Sequence, residues 1–254
     1  MRSIAGRDDL PSVRIIQYTQ AMKLKVLSWN IWGLGDFKKT IEFLKDTDAD
    51  VIALQEVVPH DPAGDVYKHL TEELGYAGVY GRSKDFEKNG QMLEMGNAVF
   101  SRLPIRQSAI HPLSKSDPRV AVRADIEAGG QTLHVFSTHF SYAELHISEI
   151  QQEQAADLIA LLPAEKTIVM GDFNAAPQSV PIQQISAVLR NVGDDTPTWN
   201  QYPDASKGED PAGLIHVIDY IFASKDVAAY SYSVGRSPAS DHLPISAIVE
   251  LASS

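Results

Sequence analysis

Residues 120–140 read VAVRADIEAGGQTLHVFSTHF. Two runs rich in β-branched side chains, Val120 to Ile126 and Thr132 to Ser137, are joined around Gly129-Gly130, where glycine tolerates the positive φ of a tight turn. The pair therefore reads as a β-hairpin, which brings antiparallel pairing into the fold, and its second strand ends on a polar residue, His139. Working outward, Glu144 to Leu162 is the longest helix candidate, with Ile147, Ile150, Leu158 and Leu161 at helical spacing on one face. Thr167 to Met170 follows as a strand ending at Gly171-Asp172-Phe173-Asn174. Upstream, Leu24 to Ser28, Val51 to Leu54 and Asn97 to Phe100 read as strands. Asp36 is placed to cap a helix carrying Phe37, Ile41 and Leu44, and Val66 to Leu74 reads as helical. Ile218 to Phe222 and Leu243 to Val249 supply two late strands, and the sequence between Asn174 and Gly213 reads as irregular. Strands alternating with helices, plus a hairpin, predict a layered α/β (α+β) architecture with mixed sheets.

The composition bounds the chemistry. Of 254 residues, 44% are hydrophobic and 22% charged, ordinary for a soluble globular chain. There is no cysteine, so disulfides and thiolate metal sites are excluded and any metal is held by oxygen or imidazole. The formal net charge of −11 has the wrong sign for a broad basic nucleic-acid surface, although a local basic cleft is compatible with it. Residues 1–21 lack the apolar stretch of a secretory signal, and no apolar run is long enough to span a membrane, so the chain reads as soluble and cytoplasmic. Because Met22 directly precedes the first strand, residues 1–21 read as an N-terminal extension or tag remnant ahead of a single domain over residues 22–254.

The functional signal is a recurrence. Strands 24–28, 51–54, 134–138, 167–170 and 218–222 each end at or adjoin polar residues: Asn30, Gln55-Glu56, His139, Asp172-Asn174 and Asp219. Ser240-Asp241-His242 forms a sixth cluster before the last strand. Strand ends in a layered α/β protein converge on one rim, so groups distant in sequence meet there. Glu56 and Asp241, with the amide oxygen of Asn30, make a hard oxygen site suited to Mg²⁺ or Mn²⁺. Asp172 suits orienting or deprotonating a water. Asn174 suits a hydrogen bond to a phosphoryl oxygen, and His139 and His242 suit charge stabilisation or protonation of a leaving group. Asp219 suits holding the His242 ring in one tautomer. Each residue alone has an ordinary reading as a turn, a cap or a surface charge. Asp219 is the least ordinary, because an unpaired carboxylate in an apolar strand is costly.

These segments together resemble the endonuclease/exonuclease/phosphatase superfamily with its deoxyribonuclease-I-like fold. They are Ser28-Trp29-Asn30, Leu54-Gln55-Glu56, Gly96-Asn97 through Ser101-Arg102-Leu103-Pro104-Ile105, Ser137-Thr138-His139, Gly171-Asp172-Phe173-Asn174, Ile218-Asp219-Tyr220-Ile221 and Ser240-Asp241-His242, all in the family's order. The resemblance implies a four-layer α/β/β/α sandwich of two packed mixed sheets. It also implies Glu56 as principal Mg²⁺ ligand with Asn30 and Asp241 close by. Asp172 would position the attacking water, Asn174 would contact the phosphate, and His139 with the Asp219–His242 pair would contact phosphate oxygens or aid the leaving group. Two departures stand out. Where apurinic endonucleases and 5′-tyrosyl-DNA phosphodiesterases carry an acid two residues after the asparagine, this chain has Trp32. Members that pair the first histidine with a glutamate leave Glu94 as the nearest candidate here, with a solvated loop residue as the other reading.

Arg102, in the Ser-Arg-x-Pro turn, suits a substrate contact or a structural salt bridge. Thr198-Trp199-Asn200 could line the cleft, with Asn200 the candidate substrate contact and Trp199 more naturally a packing residue. His60, His69, His111, His134, His146 and His216 have no motif around them and read as surface or satisfied histidines. The resulting expectation is a Mg²⁺/Mn²⁺-dependent phosphodiesterase acting on a small phosphodiester or a nucleic-acid end. An endo- or exonuclease and a catalytically inactive binding scaffold are the competing readings. No apolar insertion hairpin or basic amphipathic helix points to a membrane lipid.

Overall fold

In the computed structural model, which describes residues 21–143, 148–199 and 216–252, the expected hairpin forms, with Gly129 and Gly130 at φ +60° and +79°. In chain order the elements are β1 (Met22–Asn30), α1 (Phe37–Thr47), β2 (Val51–Val57), α2 (Val66–Lys68, continuing as a wider π-turn over His69–Glu73), β3 (Ala77–Lys88), β4 (Gln91–Ser101), β5 (Ile105–Pro112), β6 (Val120–Ala128) and β7 (Gln131–His139). They continue with α3 (Glu149–Leu161), β8 (Thr167–Asp172), α4 (Val180–Val188), β9 (Arg190–Asn191), β10 (Asp219–Ala223), β11 (Val227–Val234) and β12 (Ile245–Leu251). The strands make two six-stranded mixed sheets, ordered β11-β12-β1-β2-β4-β3 and β5-β6-β7-β8-β10-β9.

Each sheet has one parallel pair at its centre. In the first, β1 and β2 run together and set Asn30 opposite Gln55. In the second, β7 and β8 run together and set His139 opposite Asp172. Strands that are buried on both faces read as continuous apolar runs, as Val51 to Leu54 of β2 and Ile168 to Met170 of β8 do, whereas β1 and β7 carry polar residues such as Lys25 and His134 among their apolar ones. Leu24, Val26, Val51 and Ala53 face the other sheet and pack with Val122, Ala124, Val135, Ile168 and Met170. Leu27, Trp29, Ile52 and Leu54 face outward onto Ile41 and Leu44 of α1. Phe136, Val169, Tyr220 and Phe222 face outward onto Leu158 of α3 and Ile182 and Ile185 of α4. The result is the expected four-layer sandwich, each large aliphatic side chain contributing roughly 1.5–3 kcal/mol by burial.

Several elements differ from the sequence reading. The long helix buries Gln151, Gln154, Ala155 and Leu158, while Ile150 is exposed, because both glutamines turn inward to bond loop backbone. Ser148 caps the described start of this helix by accepting from Gln151 N, and residues 144–147 lie outside the described residues. The region after Asn174, read as irregular, contains α4, with Pro181 in its first turn where a missing N–H costs nothing. The last strand starts at Ile245, after Pro244. The β3–β4 hairpin turns at Asn89-Gly90, with φ +52° and +77°, the conformation that favours this dipeptide. No helix among the described residues is long and apolar enough to cross a membrane.

Candidate active site

The C-terminal ends of β1, β2, β7 and β8 and the start of β10 come out at one rim, and the segment before β12 is fastened there. Trp29 Nε1 donates to the carbonyl of His242 at 2.9 Å, and Ser240 Oγ donates to the carbonyl of Asn30 at 2.7 Å. Two hydrogen bonds between β1 and residues 240–242 thus place Asp241 and His242 beside Asn30.

Asp172 is the hub. Its Oδ2 accepts from Asn30 Nδ2 at 3.0 Å and lies 3.3 Å from His139 Nε2 and 3.6 Å from His242 Nε2; its Oδ1 accepts from Asn174 N at 2.8 Å. Burial pushes its carboxyl upward, against the pull of the His242 charge. His242 Nδ1 is held by Asp219 Oδ2 at 3.0 Å, and that oxygen also accepts from Thr198 Oγ1 at 2.6 Å. Burial alone would lower the His242 pKa, but the Asp219 and Asp172 carboxylates override it and hold the ring protonated. His139 goes the other way: burial, then Arg119, His242 and Lys84, push it well below the ordinary histidine value. Two histidines in one site are therefore driven to opposite charge states, the pattern that assigns acid and base roles.

Glu56 leaves β2 at a register break between Leu54 and Val57 and adopts φ +57°, a conformation uncommon for a non-glycine residue. Its Oε2 accepts from Gly33 N at 2.9 Å. Asp241 accepts from Trp199 Nε1 and from Ser240 Oγ, each at 3.3 Å. Burial raises the Asp241 carboxyl, and so does the nearby Glu56. Two carboxylates in mutual repulsion, with the Asn30 amide oxygen near the same rim and accepting, among the described residues, from Trp32 N at 3.0 Å, form an oxygen donor set that fits a hard divalent cation. Asp172, Asp219 and His242 also bring ligand atoms within 4.8 Å of one another. That trio is already joined by hydrogen bonds through a protonated ring, which makes it the poorer cation cage.

Asn174, at φ +48°, donates through Nδ2 to the carbonyl of Phe140 at 3.0 Å, which leaves one amide hydrogen for a ligand. Its own carbonyl is held by Gln151 Nε2 at 2.7 Å. Gln151 could not be singled out from the sequence, because a buried Gln has no motif. Also without a role in the sequence reading were Lys84 and Arg119, which line a crevice with Glu56 and His139, whereas Ser240 and Thr198 lie in segments that the sequence had marked. Trp199 packs, as expected, but against the site: its ring stacks on His242 at 5.9 Å between centroids.

Arg102 is a correction to the substrate-contact reading. It sits at the opposite end of β2 from Glu56, where its backbone N–H donates to the Asp50 carbonyl at 2.9 Å, its side chain pairs with Asp48 at 2.5 Å, and its Nε donates to Tyr76 OH at 3.0 Å. Glu94 takes the solvated reading, half-exposed and 3.8 Å from Arg82 Nε, while the carboxylate beside His139 is Asp172. Asn200 and His146 lie outside the described residues. His134 is satisfied, bonded to Asp125 at 2.7 Å.

A family model described as the endonuclease/exonuclease/phosphatase family matches residues 27–242. No curated protein matches the sequence. Among solved structures, an endonuclease/exonuclease/phosphatase from Beutenbergia cavernae superposes with a TM-score of 0.74 at 22% identity, over 91% of this chain and 72% of that one. The human Nocturnin catalytic domain with bound sulfate gives 0.71 at 22% identity, over 89% and 94%. ANGEL2, a 2′,3′-cyclic phosphatase in complex with adenosine-2′,3′-vanadate, gives 0.68 at 17% identity, over 92% and 97%. At these identities the structural likeness speaks for the fold.

Proposed function

The chain belongs to the endonuclease/exonuclease/phosphatase family and is a hydrolase of phosphoric esters, and from that premise we propose a Mg²⁺- or Mn²⁺-dependent phosphodiesterase that works by direct attack of water. The observation that carries this reading is Asp172, a buried carboxylate aimed by Asn30, Asn174 and two histidines toward the rim where Glu56 and Asp241 lie.

Glu56, Asp241 and the Asn30 amide oxygen would hold the cation, which supplies Lewis-acid polarisation of a phosphoryl oxygen when bound. The chain's own groups do the rest. Asp172 takes a proton from the water whose oxygen attacks phosphorus. Asn174 donates its free amide hydrogen to a non-bridging oxygen, stabilising the charge that builds there. As the bond from phosphorus to the leaving oxygen breaks, the protonated His242 gives that oxygen its proton. It then recovers one from Asp172, whose Oδ2 lies 3.6 Å from His242 Nε2. Asp219 keeps the ring oriented throughout. His139, held neutral, fixes the opposite side of Asp172 without competing for the proton.

A small phosphodiester or the end of a nucleic acid suits the site better than a long duplex, because the net charge of −11 opposes a broad phosphate-binding face. The direct test is hydrolysis of bis-p-nitrophenyl phosphate with and without Mg²⁺ or Mn²⁺. We expect metal-dependent turnover that Asp172→Ala lowers by about 10²-fold or more. Equal turnover in the folded variant would sink the assignment.

A further inference from the structure

Lys88 and Asp61 form a buried ion pair that the reaction above leaves unused. Lys88 ends β3 at the tip of the β3–β4 hairpin, and Asp61 lies in the segment that follows β2. Their side chains are 13% and 7% exposed, and Lys88 Nζ donates to Asp61 Oδ2 at 2.7 Å. Asp61 is itself fixed: its Oδ1 accepts from Ala63 N at 2.9 Å and its carbonyl from Gly64 N at 3.0 Å. From that anchor the ammonium donates a second time, to the carbonyl of Gly33 at 2.9 Å. The N–H of the same glycine donates to Glu56 Oε2 at 2.9 Å.

The turn that Lys88 grips is one that needs holding. Trp32 stands at φ +53°, uncommon for a bulky side chain, and Gly33 and Gly35 flank the exposed Leu34. Trp32 N donates to Asn30 Oδ1 at 3.0 Å and Gly35 N to the Trp32 carbonyl at 2.6 Å, while the Gly33 carbonyl accepts, among the described residues, from Lys88. Glu56, half-buried, borders with Gly33, Asp61 and Lys88 a cavity of about 280 Å³. Its carboxylate thus has room for more than one rotamer, and the bond from Gly33 N selects one. A buried ion pair adds little stability over apolar groups of the same volume, so stability alone is a poor reason to keep one here. Groups that stand behind a metal ligand and orient it have a larger effect.

We propose that Lys88 is a positioning residue for the cation site: anchored on Asp61, it fixes Gly33, whose N–H binds Glu56 Oε2 and leaves Oε1 free for the ion. The tip of the β3–β4 hairpin is thereby tied to a cation ligand on another strand. The cation half of this inference rests on the reading of Glu56 as a ligand; the orienting of Glu56 through Gly33 does not.

The test measures both halves on the full chain. Without metal, amide hydrogen exchange at Gly33, followed by NMR, should be at least about tenfold faster in Lys88→Met than in the wild type. Mn²⁺ affinity, read from the paramagnetic resonance of the free ion, should be about tenfold weaker, the lower end of what the loss of a group behind a metal ligand costs. If Lys88→Met leaves Asp61 unpaired and does not fold, Asp61→Asn combined with Lys88→Met serves, since it removes both charges and keeps the oxygen that Ala63 N needs. Unchanged Gly33 exchange in the folded variant would overturn the inference. So would wild-type Mn²⁺ affinity in Lys88→Met where Glu56→Gln has lost it. Faster Gly33 exchange together with full Mn²⁺ affinity in Glu56→Gln would instead overturn the cation reading of Glu56 and leave Lys88 as the residue that orients it.

Discussion

His139 and His242 are the same residue type, both buried and both within 4 Å of one carboxylate oxygen. What separates them is the far side of each ring. His242 has Asp219 at 3.0 Å, while His139 has the charges of Arg119 and Lys84 in its neighbourhood. Asp219→Asn keeps the shape and removes the charge that holds the proton on His242. We expect kcat to fall by about 10²–10⁴-fold, with KM changed only a few-fold, as suits a group acting in the chemical step. Thr198→Val removes one hydrogen bond to the same carboxylate and should cost about fivefold, near 1 kcal/mol. Steady-state kinetics on both variants checks the order. An Asp219→Asn enzyme with undiminished kcat would make His242 a bystander.

Among the elements, the parallel contact of β7 with β8 decides whether His139 and Asp172 meet. Gly171 makes that contact possible: a Cβ there would lie 2.0 Å from the Thr138 carbonyl oxygen. Gly171→Ala must push β8 away from β7, one residue from Asp172, and overpacking of this kind costs about 1–3 kcal/mol or more. Urea denaturation should show that loss, and the folded fraction should lose kcat as well. Normal stability together with normal kcat would refute the argument. The same strands show what the sequence could disclose. Runs such as Thr167 to Met170 were legible because strands covered on both faces are apolar throughout. The β3–β4 hairpin was less so, because Gln91 to Glu94 and Arg82 to Lys88 extend past the core and carry mostly polar or exposed side chains, leaving Asn89-Gly90 as the one local sign. The face of α3 was misread for a different reason. Gln151 and Gln154 are polar by composition yet buried by purpose, holding Ser141 and the carbonyl of Asn174.

Across the whole molecule, the site exists because two sheets, each with a central parallel pair, end at a common rim. Polar residues at the ends of apolar runs announced Asn30, Glu56, His139 and Asp172 in the sequence, and Asp219 at the start of one, since periodicity makes a strand's limits visible. Lys84 and Arg119 were invisible by the same logic: their segments mix charge signs, and only the packing of one sheet on the other brings them together. Within the first sheet, Glu56 from β2 and Asp241 from the segment before β12 come near each other on either side of β1, so a cation bound between them would tie distant parts of the chain together in the folded state alone. Binding of this kind stabilises by mass action, about 2.7 kcal/mol at a hundredfold excess over Kd. For a chain of this size that is a Tm rise of roughly 5–10 °C. Thermal unfolding with increasing Mn²⁺ should show the rise in the wild type. Glu56→Gln should lose it, while gaining some stability without metal because one of two repelling carboxylates is gone. A rise of equal size in both proteins would mean that the cation binds elsewhere, with the Asp172–Asp219–His242 trio the next place to look.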